Sequence, residues 1–229
     1  MSNQPVLAPE RPISLRLGRP RILLADDHAL FTAALKKLLE PEFEVVGTVL
    51  NGRLLLQEAV RLCPDLVLLD LSMPLMNGTE AGRRLKEILP KTKIILLTAS
   101  EDATRPVVEA LDSWASGFLL KKDAAEELIQ AILRVLRGTR YVTPSMHQKL
   151  EDVFIRGGFQ GPDQQLTPRQ REVLQLLAEG HSMKETANIL DMTARTVAFH
   201  KYRIMENLGL RTNSDLFNLA IKEGLFYTH

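Results

Sequence analysis

The chain has 229 residues, 45% hydrophobic and 25% charged, with a net charge of +1. This is the balance of a soluble globular protein of one or two domains, and any nucleic-acid surface must come from local concentration of charge. A single cysteine, Cys63, excludes an internal disulfide and a cysteine-clustered zinc site. It ends a helical pattern and reads as a small core hydrophobe. No run approaches the ~20 apolar residues of a membrane helix, and no secretory pattern opens the chain, so the expected location is cytoplasmic.

Residues 1–20 carry Pro5, Pro9, Pro12 and Pro20 without periodicity and read as a flexible arm, basic at Arg11, Arg16 and Arg19. From Arg21 the pattern is regular. Ile22 to Ala25 is a buried strand ending on Asp26-Asp27-His28, and a helical repeat runs from Leu30 to Leu39. Phe43 to Val49 is a second strand, and Leu54 to Leu62 a helix. The run from Asp65 to Pro74 is a third strand, closed by Met73-Pro74 because proline donates no ladder hydrogen bond. Asn77-Gly78 opens a helix through Ile88-Leu89. Ile94 to Thr98 is the fourth strand, and a helix spans about Ala103 to Asp112. Gly117 to Lys121 is the fifth strand, and Asp123 with Glu126 forms a capping pattern for a helix ending at Gly138. Strands alternating with helices require a parallel sheet with right-handed crossovers. The expected fold over 21–138 is therefore α/β, a five-stranded, doubly wound, flavodoxin-like domain.

Residues 139–165 read as a linker. Tyr141 to Pro144 is extended, a short helix covers Ser145 to Ile155, and Gly157-Gly158 and Gly161-Pro162-Asp163 are loop signals. Residues 166–229 show no strand and form a small all-α domain. Thr167-Pro168-Arg169-Gln170 and Ser182 with Glu185 are capping boxes. Thr193 opens a third helix to Leu208-Gly209, and Asn213 or Ser214 caps a fourth. The tight Asp191-Met192-Thr193 connection suits a helix-turn-helix.

The strand ends carry the chemistry. Asp26 and Asp27, Asp70, Thr98 and Lys121 all fall at the C-terminal edge of one parallel sheet. Singly, each has a bland reading: a cap, a strand residue, a solvated lysine beside Lys122. Together, three carboxylates repel unless a cation joins them, and oxygen donors in an open site favour Mg²⁺. Lys121 suits a phosphate, and Thr98 offers a hydroxyl donor. The set fits an aspartate nucleophile that accepts a phosphoryl group.

Leu24-Ala25-Asp26-Asp27-His28, Leu69 to Pro74 with Asn77-Gly78, Leu97-Thr98-Ala99 and Gly117 to Lys121 resemble the motifs of response-regulator receiver domains. Residues 166–226 resemble the four-helix DNA-binding domain of the NarL/LuxR type. The resemblance to the NarL/FixJ family implies Asp70 as phosphoacceptor, Asp27 as a direct and Asp26 as a mainly water-mediated Mg²⁺ ligand, and the Ser72 carbonyl as a third protein ligand. It implies Thr98 and Lys121 as phosphoryl partners. Thr98 and Phe118 become the switch residues, with Phe118 lacking the hydroxyl of the more usual tyrosine. It also implies a sensor histidine kinase, double-stranded DNA and a homodimer on DNA as partners, with RNA polymerase as a further candidate. The dimer contact falls around Asn213 to Leu219.

On the third C-terminal helix, Val197, Ile204 and Leu208 recur at core spacing. Arg195, Thr196, Ala198, Phe199, Lys201, Tyr202 and Arg203 form the candidate DNA face. Read from the residues alone, that face is also open to a protein partner. Related proteins often have lysine where Ala198 stands, which leaves phosphate contacts better supported than base contacts. The expected function is a non-enzymatic transcription factor switched at Asp70. One alternative is a phosphorylation-independent DNA-binding regulator that uses the receiver as a dimerisation module. Another is an aspartyl-phosphate hydrolase, which usually needs a second acid two residues after the nucleophile, where this chain has Ser72.

Overall fold

The computed structural model describes residues 18–101, 103–147 and 166–226. Most of the expected arm and linker, including the glycine-rich stretches and the end of the short helix at Ile155, lies outside the described residues.

The first unit runs β1 (Arg21–Ala25), α1 (Ala29–Leu39), β2 (Glu44–Val49), α2 (Gly52–Leu62), β3 (Leu66–Asp70), α3 (Gly78–Ile88), β4 (Lys93–Thr98), α4 (Thr104–Ser113), β5 (Gly117–Leu120) and α5 (Ala124–Leu136). The sheet order is β2-β1-β3-β4-β5, and every pairing is parallel. Alternation on the strands divides the core into two layers. Leu23, Val67, Leu69, Ile94, Leu96 and Phe118 face one layer, with Leu55, Leu85 and Val107 from α2, α3 and α4. Ile22, Leu24, Leu68, Ile95, Leu97 and Leu119 face the other, with Leu35, Leu39, Leu128 and Ile132 from α1 and α5. Both faces are covered, which is why β3 reads as an unbroken apolar run.

A sixth strand, β6 (Tyr141–Val142), adds to the edge of β5, Gly117 opposite Tyr141 and Phe118 opposite Val142. Two residues are too few to carry a periodic signal, so this extended segment reads as linker in the sequence. It is fastened by Tyr141, whose hydroxyl donates to Glu127 at 2.6 Å.

The second unit is helical: α6 (Pro168–Ala178), α7 (Met183–Leu190), α8 (Ala194–Asn207) and α9 (Asn213–Lys222). Thr167 with Gln170 and Ser182 with Glu185 form reciprocal capping boxes. Val197 and Ile204 of α8 are buried in two small apolar clusters built on α6.

Three local readings change. Thr212, not Asn213 or Ser214, caps α9, in a box with Asp215. Asp123 makes no side-chain cap, because a 3₁₀ turn over Lys121–Asp123 holds its backbone in a helical rather than an extended conformation. Cys63 is only half-buried and sits at the left-handed C-cap of α2 rather than in the core. Among the described residues no helix is long and apolar enough to cross a membrane.

Candidate functional site

The site lies where β1, β3, β4 and β5 end side by side. Asp26 follows β1, Asp70 closes β3, Thr98 closes β4 and Lys121 follows β5. Asp26, Asp70 and Thr98 are at most 2% exposed. Gly78 lets α3 begin against Asp70: a Cβ there would stand 2.1 Å from the Asp70 carbonyl oxygen. Asn77 caps that helix, accepting from the Glu80 N–H at 2.9 Å.

Lys121 Nζ stands 2.8 Å from Asp70 Oδ2 and 2.8 Å from Asp26 Oδ2. The Ser72 N–H donates to Asp70 Oδ1 at 3.3 Å. Burial, aided by the nearby Asp26 charge, pushes the Asp70 carboxyl up to about 6 against the pull of Lys121 and the Ser72 amide. Burial by itself would lower Lys121, but Asp70 and Asp26 together hold it above its ordinary value. Asp26 Oδ2 and Asp27 Oδ1 are buried atoms; Lys121 Nζ faces the first at 2.8 Å and His28 Nδ1 lies 3.0 Å from the second. A ligand atom from each of Asp26, Asp27, His28 and Asp70 falls within 4.8 Å of the others. This oxygen-rich cluster has the donors of a hard divalent cation site.

The expected residues therefore come together at Asp26, Asp27, Asp70 and Lys121, with Ser72 beside them. The Thr98 hydroxyl accepts the Ser100 N–H at 3.2 Å. Phe118 is fully buried in the same apolar layer as Val107 and Val108 of α4. Two neighbours add to the sequence reading. His28 Nδ1 lies 3.1 Å from Asp26 Oδ1, and the Phe31 ring lies 5.0 Å from the Lys121 ammonium. The only signal for His28 was its place directly after the two aspartates.

On α8, Arg195, Phe199, Tyr202 and Arg203 are exposed, while Thr196, Ala198 and Lys201 are half-buried. Phe199 and Tyr202 are 59% and 61% exposed, unusual for aromatic side chains unless a partner covers them. The Arg203 guanidinium lies 6.0 Å from the Phe199 ring. Thr196 is engaged at the helix start, its N–H donating to Thr193 Oγ1 at 3.2 Å.

Comparison with known proteins agrees with this geometry. Residues 22–133 match the response regulator receiver domain, and residues 164–220 match the luxR family of bacterial regulatory proteins. The oxygen regulatory protein NreC of Staphylococcus carnosus is 34% identical over 214 residues, covering 90% of this chain and 98% of that one. The Staphylococcus aureus NreC proteins are 33% identical over the same span. Among solved structures, an RcsB–DNA complex covers 88% of this chain and 97% of its own at 27% identity and a TM-score of 0.55. RcsB of Salmonella enterica bound to a promoter in the presence of a phosphomimetic gives a TM-score of 0.57 at 27% identity, covering 88% and 97% of the two chains.

Proposed function

The chain belongs to the response regulators that join a receiver to a LuxR-type DNA-binding domain, and we propose that its DNA binding is switched by phosphorylation of Asp70. It is a two-component response regulator with a DNA-binding output. The observation that carries the assignment of Asp70 is the convergence of three carboxylates and one lysine at a single sheet edge, with Lys121 Nζ 2.8 Å from Asp70 Oδ2.

In this reading an Asp70 carboxylate oxygen attacks the phosphorus of a kinase phosphohistidine. The new O–P bond forms as the N–P bond breaks, and the imidazole leaves. Lys121 pairs with the phosphoryl oxygens, and the Thr98 hydroxyl donates to one of them. Asp26, Asp27, Asp70 and the Ser72 carbonyl would hold Mg²⁺, which when bound neutralises charge on the transferring group. Lys121 already bridges Asp70 and Asp26, so a phosphoryl group on Asp70 must redraw that contact. Motion of Thr98 would be felt by Phe118 beneath α4, and the α4–β5 surface would carry the change to a homodimer on DNA or to the DNA-binding unit.

The partners in this reading are a sensor histidine kinase, double-stranded DNA gripped by α8 and a second copy of the chain, with RNA polymerase downstream. The proposed location is the cytoplasm, and no enzymatic turnover is assigned. Transfer from acetyl phosphate or a phosphorylated kinase tests the reading. Asp70→Asn should take up no label; uptake at the wild-type rate would place the acceptor elsewhere.

A further inference from the structure

The loop that leaves Asp70 is held from outside its own domain. Its two ends are fixed within the receiver: the Leu71 N–H donates to the Leu97 carbonyl at 3.0 Å, and the Gly78 N–H donates to the Leu71 carbonyl at 2.9 Å. Between them, side chains of α6 serve three backbone groups. Gln175 Oε1 accepts the Asn77 N–H at 3.0 Å, and Gln175 Nε2 donates to the Met73 carbonyl at 3.0 Å. Glu179 Oε2 accepts the Leu75 N–H at 3.3 Å, while Glu179 Oε1 accepts from Gln175 Nε2 at 2.7 Å.

Gln175 is 2% exposed. It sits in the run Val173-Leu174-Gln175-Leu176-Leu177, where an apolar residue would pack more simply. A buried amide is costly unless both its ends are satisfied, and here the loop satisfies them. Leu75 takes φ +66°, a left-handed conformation that leucine disfavours. Its side chain packs with Val173, Leu176 and Val197 of the helical unit. The Arg84 guanidinium adds a cross-domain ion pair to Glu172 at 2.7 Å. The loop conformation is thus set jointly by the receiver and α6. Its first residues, Ser72 and Met73, lie against Asp70 on one side and Gln175 on the other.

We propose that Gln175, a residue of the DNA-binding domain, is a positioning residue for the chemistry at Asp70, acting by clamping the β3–α3 loop that carries Ser72. The inference rests on the proposed role of Asp70 and Ser72. Without the Gln175 clamp the Met73 carbonyl and Asn77 N–H lose their partners, the loop slackens, and the Ser72 carbonyl no longer stands ready for Mg²⁺. Linkage makes the coupling reciprocal: Mg²⁺ at the site tightens docking of α6 by the factor by which docking tightens Mg²⁺. The exposed aromatic face of α8 stays clear of this joint, so docking through α6 is compatible with an available DNA face.

The test uses the full-length chain and calorimetric titration with MgCl₂ alone, followed by phosphorylation from acetyl phosphate. Gln175→Met, similar in volume but without the amide, should raise the Mg²⁺ Kd about three- to tenfold, the range expected for losing a bond or two of ordinary net strength. Its phosphorylation deficit should disappear at saturating Mg²⁺, a split that a merely structural role does not produce. Gln175→Glu keeps the acceptor for Asn77 but loses the donor to both Met73 and Glu179 and sets a second carboxylate against that of Glu179. It should raise Kd at least about threefold, and it decides the matter if Gln175→Met melts early. A Mg²⁺ Kd within about twofold of wild type for Gln175→Met, or an unchanged Kd for Gln175→Glu where the former does not fold, overturns the clamp. A wild-type chain that binds no Mg²⁺, or an Asp70→Asn chain that still takes up label, overturns the proposed site itself instead.

Discussion

Lys121, half-buried, forms an ion pair with the buried Asp70 at 2.8 Å, and the same ammonium lies 2.8 Å from Asp26. One cation therefore bridges the carboxylates of two adjacent strands, and its removal leaves two buried carboxylates, Asp26 and Asp70, facing each other with like charge. Lys121→Met should slow phosphorylation of Asp70 by about 10²-fold, the usual scale for deleting one preorganised charge partner. Mg²⁺ binding, which uses the carboxylates, should persist in calorimetry. Loss of both together would make Lys121 a structural prop rather than a phosphoryl partner.

Burial raises the Asp70 carboxyl from 3.8 to about 6. A carboxyl raised on folding binds its proton better in the native state. Its contribution to stability is complete below the unfolded value and is lost as pH rises through about 6. Near neutral pH and above, the wild type therefore carries a destabilising buried carboxylate that Asp70→Asn lacks. In chelator, Asp70→Asn should be more stable than wild type by about 1–3 kcal/mol at about pH 8. The advantage should shrink as pH falls through about 6 and be gone near 4. Urea titrations across that range check the sign, and a gain that ignores pH would remove burial as its cause.

Gly78 occupies a position that no side chain fits. A Cβ there meets the Asp70 carbonyl oxygen at 2.1 Å and the Leu71 Cα at 2.9 Å, both backbone atoms with no rotamer to change. In an ordinary helix glycine-to-alanine is favourable by roughly 0.5–1 kcal/mol. At this helix start the sign should reverse, with Gly78→Ala costing about 1–3 kcal/mol as an overpacking change. A lower urea midpoint at unchanged slope would show it, and slower phosphorylation should accompany it because the displaced backbone is that of Asp70.

The receiver was legible because β1, β3, β4 and β5 are continuous apolar runs, and because the polar groups that end them break that run abruptly. Asp26, Asp70, Thr98 and Lys121 stand out for that reason, and a parallel sheet brings them to one edge without further information. The strand β6 was not legible, since Tyr141–Val142 spans only one alternation. Thr212 was missed as a cap because Asn213 and Ser214, directly after it, are equally good cap residues. The contact of Gln175 with Met73 and Asn77 spans about a hundred residues of chain, and no local pattern encodes it. Its one trace is a glutamine in the middle of an apolar helix face.

Arg195 and Arg203 are both exposed on α8, eight residues apart, with Phe199 and Tyr202 exposed between them. Eight residues of helix span about 12 Å, enough for the two guanidinium groups to reach different parts of a DNA backbone. Arg203 also lies near Glu206, at 3.8 Å, an exposed pair that adds little to stability. Arg195→Ala and Arg203→Ala should therefore leave the melting temperature nearly unchanged. If each arginine grips a phosphate, each variant should weaken binding to all DNA sequences alike and flatten the salt dependence of log K by about one unit. A variant that instead relaxes preference at a single base pair, costing about 1–3 kcal/mol there, reads a base edge. Binding titrations at several salt concentrations, on a selected operator and a scrambled duplex, separate the two roles. Unchanged affinity for both duplexes in the double variant would move the DNA contact off α8 and leave its aromatic face to a protein partner.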